Sequence, residues 1–147
     1  MQIEMIDEPV RFELVGFGGV AENAQYAPVG LRLMNAMWNV VKQHQIPTTG
    51  INHWVYLQDG RMFVGVALSE PYDGAALERL ESLSFELPRH AKHLHVGPYQ
   101  ELPRKWKDLL TELKTAGVKF GPISLEVYGH HCDDPAKLET TILIGLQ

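Results

Sequence analysis

The chain has a single cysteine, Cys132, which excludes an internal disulfide framework and fits a reducing compartment. It has no apolar run near the length of a membrane span, and its start lacks the charged segment followed by an apolar one that marks a signal peptide. A cytoplasmic location away from membranes is the expectation. Basic residues are the minority: thirteen Lys and Arg stand against eighteen Asp and Glu, for a net charge of −5. That sign is wrong for a nucleic-acid surface and leans towards cationic partners. Also missing are a serine or cysteine nucleophile with a base at motif spacing, a P-loop, and two carboxylates in one evident site. Gly16-Phe-Gly-Gly19 is no phosphate cradle, because no helix opens directly on it; a strand end or bulge is its expected place. No cofactor is called for.

What is present is a pattern that occurs twice. At 147 residues the chain is the size of one ordinary domain, with a core of its own. Residues 1–20 read as extended, broken at Pro9. Pro28 suits a first helical turn, and Leu33, Met34, Met37, Trp38 and Val41 follow at helical spacing until Pro47 and Gly50 stop them. The runs 51–58 and 61–68 flank Asp59-Gly60, a strong hairpin signal. A connector over 72–83 with one short helix leads to a second round. Residues 85–96 are extended and split at Pro88. Pro103 opens a helix with Leu102, Trp106, Leu109, Leu110 and Leu113 on one side, and Gly117 is placed to cap it. Strands over 124–129 and 139–146 close the chain around a polar loop, 130–137.

Laid over each other, the halves match Trp38 with Trp106, and Trp54-Val55-Tyr56 with Glu126-Val127-Tyr128. Two β-α-β-β units predict an α+β fold: one antiparallel sheet, two main helices, and a cleft on a pseudo-twofold axis. Within Ile123-Ser-Leu-Glu126-Val-Tyr128 a lone carboxylate sits in a strand otherwise built for burial. Strand alternation puts Glu126 and Tyr128 on one face and Leu125 and Val127 on the other. A buried carboxylate is costly unless a cation or hydrogen-bond donors meet it. An organic cation between aromatic faces gains about 0.5 to 2 kcal/mol per cation–π contact. Trp54, Tyr56, Tyr99, Trp106 and Tyr128 are the candidate walls, and Trp38 is assigned to the core.

Several stretches carry a family resemblance. Glu8-Pro9 through Phe12-Glu-Leu-Val-Gly-Phe17 is one, and His95-Val-Gly-Pro-Tyr99 leading to Leu102 and Trp106 is another. Leu125-Glu126-Val-Tyr128 and Asp134-Pro135 with Glu139-Thr140-Thr-Ile-Leu-Ile144 complete them. With these the chain resembles the GyrI-like small-molecule-binding family, the effector-binding domain of AraC-type and MerR-type bacterial regulators. The resemblance implies duplicated SHS2-type units in one curved sheet with a central ligand groove. It implies a single effector-binding domain over 1–147, with halves of about 1–70 and 83–147. It also implies multidrug-type binding of lipophilic cations, with Glu126 as the acid that meets the ligand and Phe17 beside the aromatic residues above. Strands expected from the start to the last residue leave no stretch for a helix-turn-helix, so a stand-alone member is expected.

Three alternatives follow. Some members of the resembled family are hydrolases that open cyclopropane-containing electrophiles; Glu126 with Tyr128 or Tyr99 has the residue types for that, although binding without turnover is favoured. A gyrase-modulating role, a regulator as protein partner, or a homodimer would suit a sensor without its own DNA-binding part. His130-His131-Cys132-Asp133 and the set His90, His93 and His95 are metal-capable side chains without recognised ligand spacing, so no metal site is assigned.

Overall fold

The computed structural model describes residues 1–147. It is α+β, with eight strands in one antiparallel sheet and two main helices. The strands are β1 (Glu4–Ile6), β2 (Val10–Val20), β3 (His53–Tyr56), β4 (Arg61–Val66), β5 (Glu81–Leu87), β6 (Arg89–Val96), β7 (Phe120–Tyr128) and β8 (Glu139–Leu146). The helices are α1 (Tyr26–His44) and α2 (Leu102–Thr115). No helix is long and apolar enough to cross a membrane.

Spatial order along the sheet is β1-β6-β8-β7-β3-β4-β2-β5. The central pair is β7 and β3, and outward from it β8 and β6 mirror β4 and β2. At the edges the order crosses over. β1, which leads into β2, pairs with β6, while β5, which leads into β6, pairs with β2. Each half of the sheet is therefore extended by the strand that precedes the other half.

The sheet is curved. Neighbouring strands lie about 4.8 Å apart, so β1 and β2, six places apart in the order, would stand about 29 Å apart if it were flat. The link from Ile6 to Val10 spans at most about 14 Å. Likewise a Cβ added to Gly145 on β8 would lie 3.2 Å from the side chain of Leu87 on β5, five strands away. The edges thus curl towards each other on one face. That face carries no helix; it closes on its own side chains, with Leu14, Val55, Phe63, Phe85, Leu87, Leu125 and Leu143 as a buried cluster. Each such residue contributes about 1.5 to 3 kcal/mol by leaving water.

The opposite face takes both helices. α1 buries Gly30, Leu33, Met37 and Val41, one stripe at helical spacing, and packs on β2 and β4. It stops at Gln45, a left-handed residue at φ 52°, before Pro47. α2 has proline in its first turn, buries Leu102, Leu109 and Leu113 against Ala91, Ile142, Ile144 and Leu146, and is followed by Gly117 at φ +78°.

Several boundaries differ from the expectations. β7 begins at Phe120, four residues early, because a register shift between Phe120 and Ser124 accommodates Pro122 in a strand that cannot take its missing N–H in a regular ladder. β5 begins at Glu81, so the connector before it is shorter than 72–83 and holds only the 3₁₀ turn Ala75–Arg79. Gly16 to Gly19 are inside β2 rather than at its end. Gly16 lies opposite Gly65, and a Cβ on Gly16 would run into the carbonyl oxygen of Val64. Glycine is there for close approach of two backbones.

Candidate functional site

β3 and β7 meet at the centre of the sheet, with Trp54 directly opposite Glu126. Two residues further along each strand, on the same helix-bearing face, stand Tyr56 and Tyr128. All four side chains therefore project from the face that carries α1 and α2.

Glu126 is 3% exposed. Its Oε1 accepts hydrogen bonds from the hydroxyls of Tyr56 and Tyr128, each at 2.6 Å, and its Oε2 accepts one from the indole N–H of Trp106 on α2, also at 2.6 Å. Bonds this short to a carboxylate are charge-assisted and contribute about 1.5 to 3 kcal/mol each, against a desolvation cost of several kcal/mol for the buried ion. Every one of these donors is neutral. The ion pairs of the chain, Arg11 with Glu13 and Arg89 with Asp7, lie elsewhere, as do the contacts of His95 with Glu101 and of His131 with Asp133. The hydroxyls of Tyr56 and Tyr128 are held protonated well above the ordinary tyrosine range, first by burial and then by the charge of Glu126.

Edge-to-face contacts extend this centre in two symmetric arms. Tyr26, at the start of α1, meets Tyr56 at 5.1 Å and 87°, and Tyr99, in the 3₁₀ turn before α2, meets Tyr128 at 5.4 Å and 86°. Tyr56 also meets Trp106 at 5.7 Å, and Trp54 meets Tyr128 at 5.7 Å. Such pairs contribute about 0.5 to 1.5 kcal/mol beyond their burial. Tyr99 is the open end, 42% exposed.

The structure brings Glu126, Tyr56, Trp106, Tyr128 and Tyr99 into one connected group. Trp54 adjoins it through Tyr128 but is packed beneath α1 with Leu33, Met62 and Val64, 7% exposed. A Cβ on Gly30 would run into its ring, and its indole N–H is buried without a partner. Phe17 stands on β2, two strands out from β3, half-buried and packed against the cluster of Leu33, Trp54, Met62 and Val64. Trp38, half-buried on α1, donates its N–H to Oδ1 of Asn52 at 2.8 Å and packs against the core cluster of Val15, Met37 and Val41. Tyr26 was missed in the sequence. Its signal was its place just before a proline-started helix, which is where Tyr99 stands in the other half.

The histidines do not converge. His93 Nδ1 bonds the carbonyl of Gln2 at 2.6 Å and His95 Nε2 that of Pro98 at 3.3 Å, while His131 pairs with Asp133 in the exposed loop. No three His, Cys, Asp or Glu side chains are grouped to hold a metal ion.

No family model and no curated protein matches the chain. Solved structures do. SAV2435 bound to tetraphenylphosphonium superposes with a TM-score of 0.71 at 14% identity, over 100% of this chain and 94% of that one. The EcmrR C-terminal domain gives 0.60 at 13% identity, covering 99% and 97%. The chain has the GyrI-like fold. A hydrolase from Listeria innocua superposes as well, with a TM-score of 0.59 at 15% identity over 99% of this chain and 92% of that one.

Proposed function

We propose that this chain is a single effector-binding domain of two pseudo-twofold halves, and that it binds lipophilic organic cations at Glu126. One observation carries the reading: Glu126 sits 3% exposed, its side-chain oxygens meeting three neutral donors and no protein cation. Neutral donors lower the energy of the carboxylate without cancelling its charge, and in a dry site that charge attracts a cation far more strongly than it would in water. The three bonds also leave little room for a further donor. A quaternary phosphonium or ammonium ion, which has none to give, therefore suits the site better than a guanidinium, and its apolar arms match the ring faces of Tyr56, Tyr99, Trp106 and Tyr128. The fold neighbour SAV2435, bound to tetraphenylphosphonium, supports this ligand class by analogy.

Glu126→Gln is expected to leave the fold intact and weaken tetraphenylphosphonium binding tenfold or more, about 1.4 kcal/mol, in a fluorescence titration. Unchanged affinity would remove Glu126 from the site. A cytoplasmic sensor of this kind would hand its signal to a regulator or to gyrase, or act as a homodimer; co-purification against each partner tests that. Turnover is the second reading, favoured by one feature: two phenol hydroxyls share Oε1 of Glu126, which sets a carboxyl group and hydroxyls able to position a substrate side by side. Ring-opened product from a cyclopropane electrophile would establish it.

A further inference from the structure

The helix-free face holds a concave place away from Glu126. A cavity of about 430 Å³ opens between β6, β7 and β8 and the link from β1 to β2, lined by His90, Lys92, Val127, Thr141, Leu143 and Glu8 among others. It lies across the sheet from Glu126. His90 is 4% exposed, yet its Nδ1 has no hydrogen-bond partner. A buried imidazole nitrogen left unpaired is unfavourable, so a polar group able to reach it would be stabilised there. Burial, and then the charge of Lys92, holds this imidazole below its ordinary pKa and therefore neutral at pH 7. Lys92 itself is exposed and takes part in none of the ion pairs.

The duplication supplies an internal control. Trp54 and Glu126 are equivalent across the axis, and their ladder partners are Val64 and Ile142. Those pair in turn with Phe17 and His93, so Phe17 corresponds to His93. Three residues back along each strand, Leu14 corresponds to His90; one residue back, Gly16 corresponds to Lys92. In the first half Leu14 is 2% exposed in a filled core, with Phe12 stacked on Phe85 at 5.1 Å. The second half has an imidazole, an ammonium and a cavity at the equivalent place. The fold therefore does not require these groups there.

We infer that this cavity is a second ligand site, selective for a small monocarboxylate with an apolar tail, whose carboxylate sits on Lys92 and His90 and whose tail lies on Val127 and Leu143. Glu8 on the rim disfavours a second negative charge, and Thr141 is a further donor within the lining. The selectivity is opposite in sign to that of the Glu126 site, and the two faces are separated by the sheet.

Hexanoate and glutarate, titrated into the full chain and followed by amide NMR, test this. Hexanoate is expected to produce saturable shifts at Val127, Thr141 and Leu143 with a Kd of about 1 mM or tighter, and glutarate to bind at least about tenfold more weakly. Lys92→Gln, at an exposed position, is expected to cost about tenfold in hexanoate affinity. His90→Leu copies the residue that the other half already tolerates, so it is expected to fold and to lose binding, while tetraphenylphosphonium affinity is unchanged in both variants. Absence of saturable shifts, survival of binding in both variants, or glutarate binding as well as hexanoate would each overturn the proposal.

Discussion

Glu126 is held by three donors that come from three elements, so the carboxylate ties β3, β7 and α2 together as well as carrying charge. A neighbouring residue shows how little slack surrounds it. Gly30 in α1 has no side chain because the ring of Trp54 occupies that space, and Trp54 adjoins Tyr128. In an open helix, Gly→Ala gains up to about 1 kcal/mol. Here the added methyl meets a rigid indole in a packed core, where overpacking costs about 1 to 3 kcal/mol. Gly30→Ala is therefore expected to lower stability in urea denaturation, with a shifted midpoint and an unchanged slope. A gain in stability would mean that Trp54 has room to move.

Among the elements, the helices were read most fully from sequence, because proline at the start and an apolar stripe are local signals. Their ends carry a testable strain. α1 finishes on Gln45 in the left-handed region, at φ 52° and ψ 44°, whereas Gly117 takes that conformation after α2. A residue with a Cβ costs about 1 to 2 kcal/mol there, and glycine returns about 0.5 to 1 in chain entropy. Gln45→Gly is expected to stabilise by about 0.5 to 1 kcal/mol, visible as a rise in Tm. Strand limits were harder to read. Pro122 lies inside β7 because a bulge admits it, and no local rule announces which proline will be so admitted.

For the molecule as a whole, pH response follows from the buried groups. His53 and His90 have lowered pKa values, burial being the first cause for each, so the native state binds fewer protons than the unfolded chain once pH falls below about 6.5. Their stabilising effect is complete above that pH and is lost below it, at up to about 1.4 kcal/mol per pH unit for each. Tyr56 and Tyr128 have raised pKa values, so their contribution is complete below about pH 10 and is lost above it at the same slope. Thermal melts from acid to alkaline pH are expected to give a plateau with falls on both sides. Tyr56→Phe with Tyr128→Phe would flatten the alkaline fall, and an unchanged fall would mean that other groups cause it.

Sequence alone determined the things that depend on neighbours along the chain. These include two helices with their punctuation, the Asp59-Gly60 hairpin, and the alternation that aimed Glu126 and Tyr128 at one face. Tertiary structure decided what depends on distance across the sheet. It alone revealed that β1 and β5 exchange sides, that Tyr26 joins Tyr56, that Trp54 is spent under Gly30, and that Glu126 is met by neutral donors. The same holds for the cavity beside His90, since the pairing of β1 with β6 brings Glu8 to a strand more than eighty residues later in the chain. A pattern of residues specifies which way a side chain points; what it meets there is set by register and curvature, which no single stretch contains.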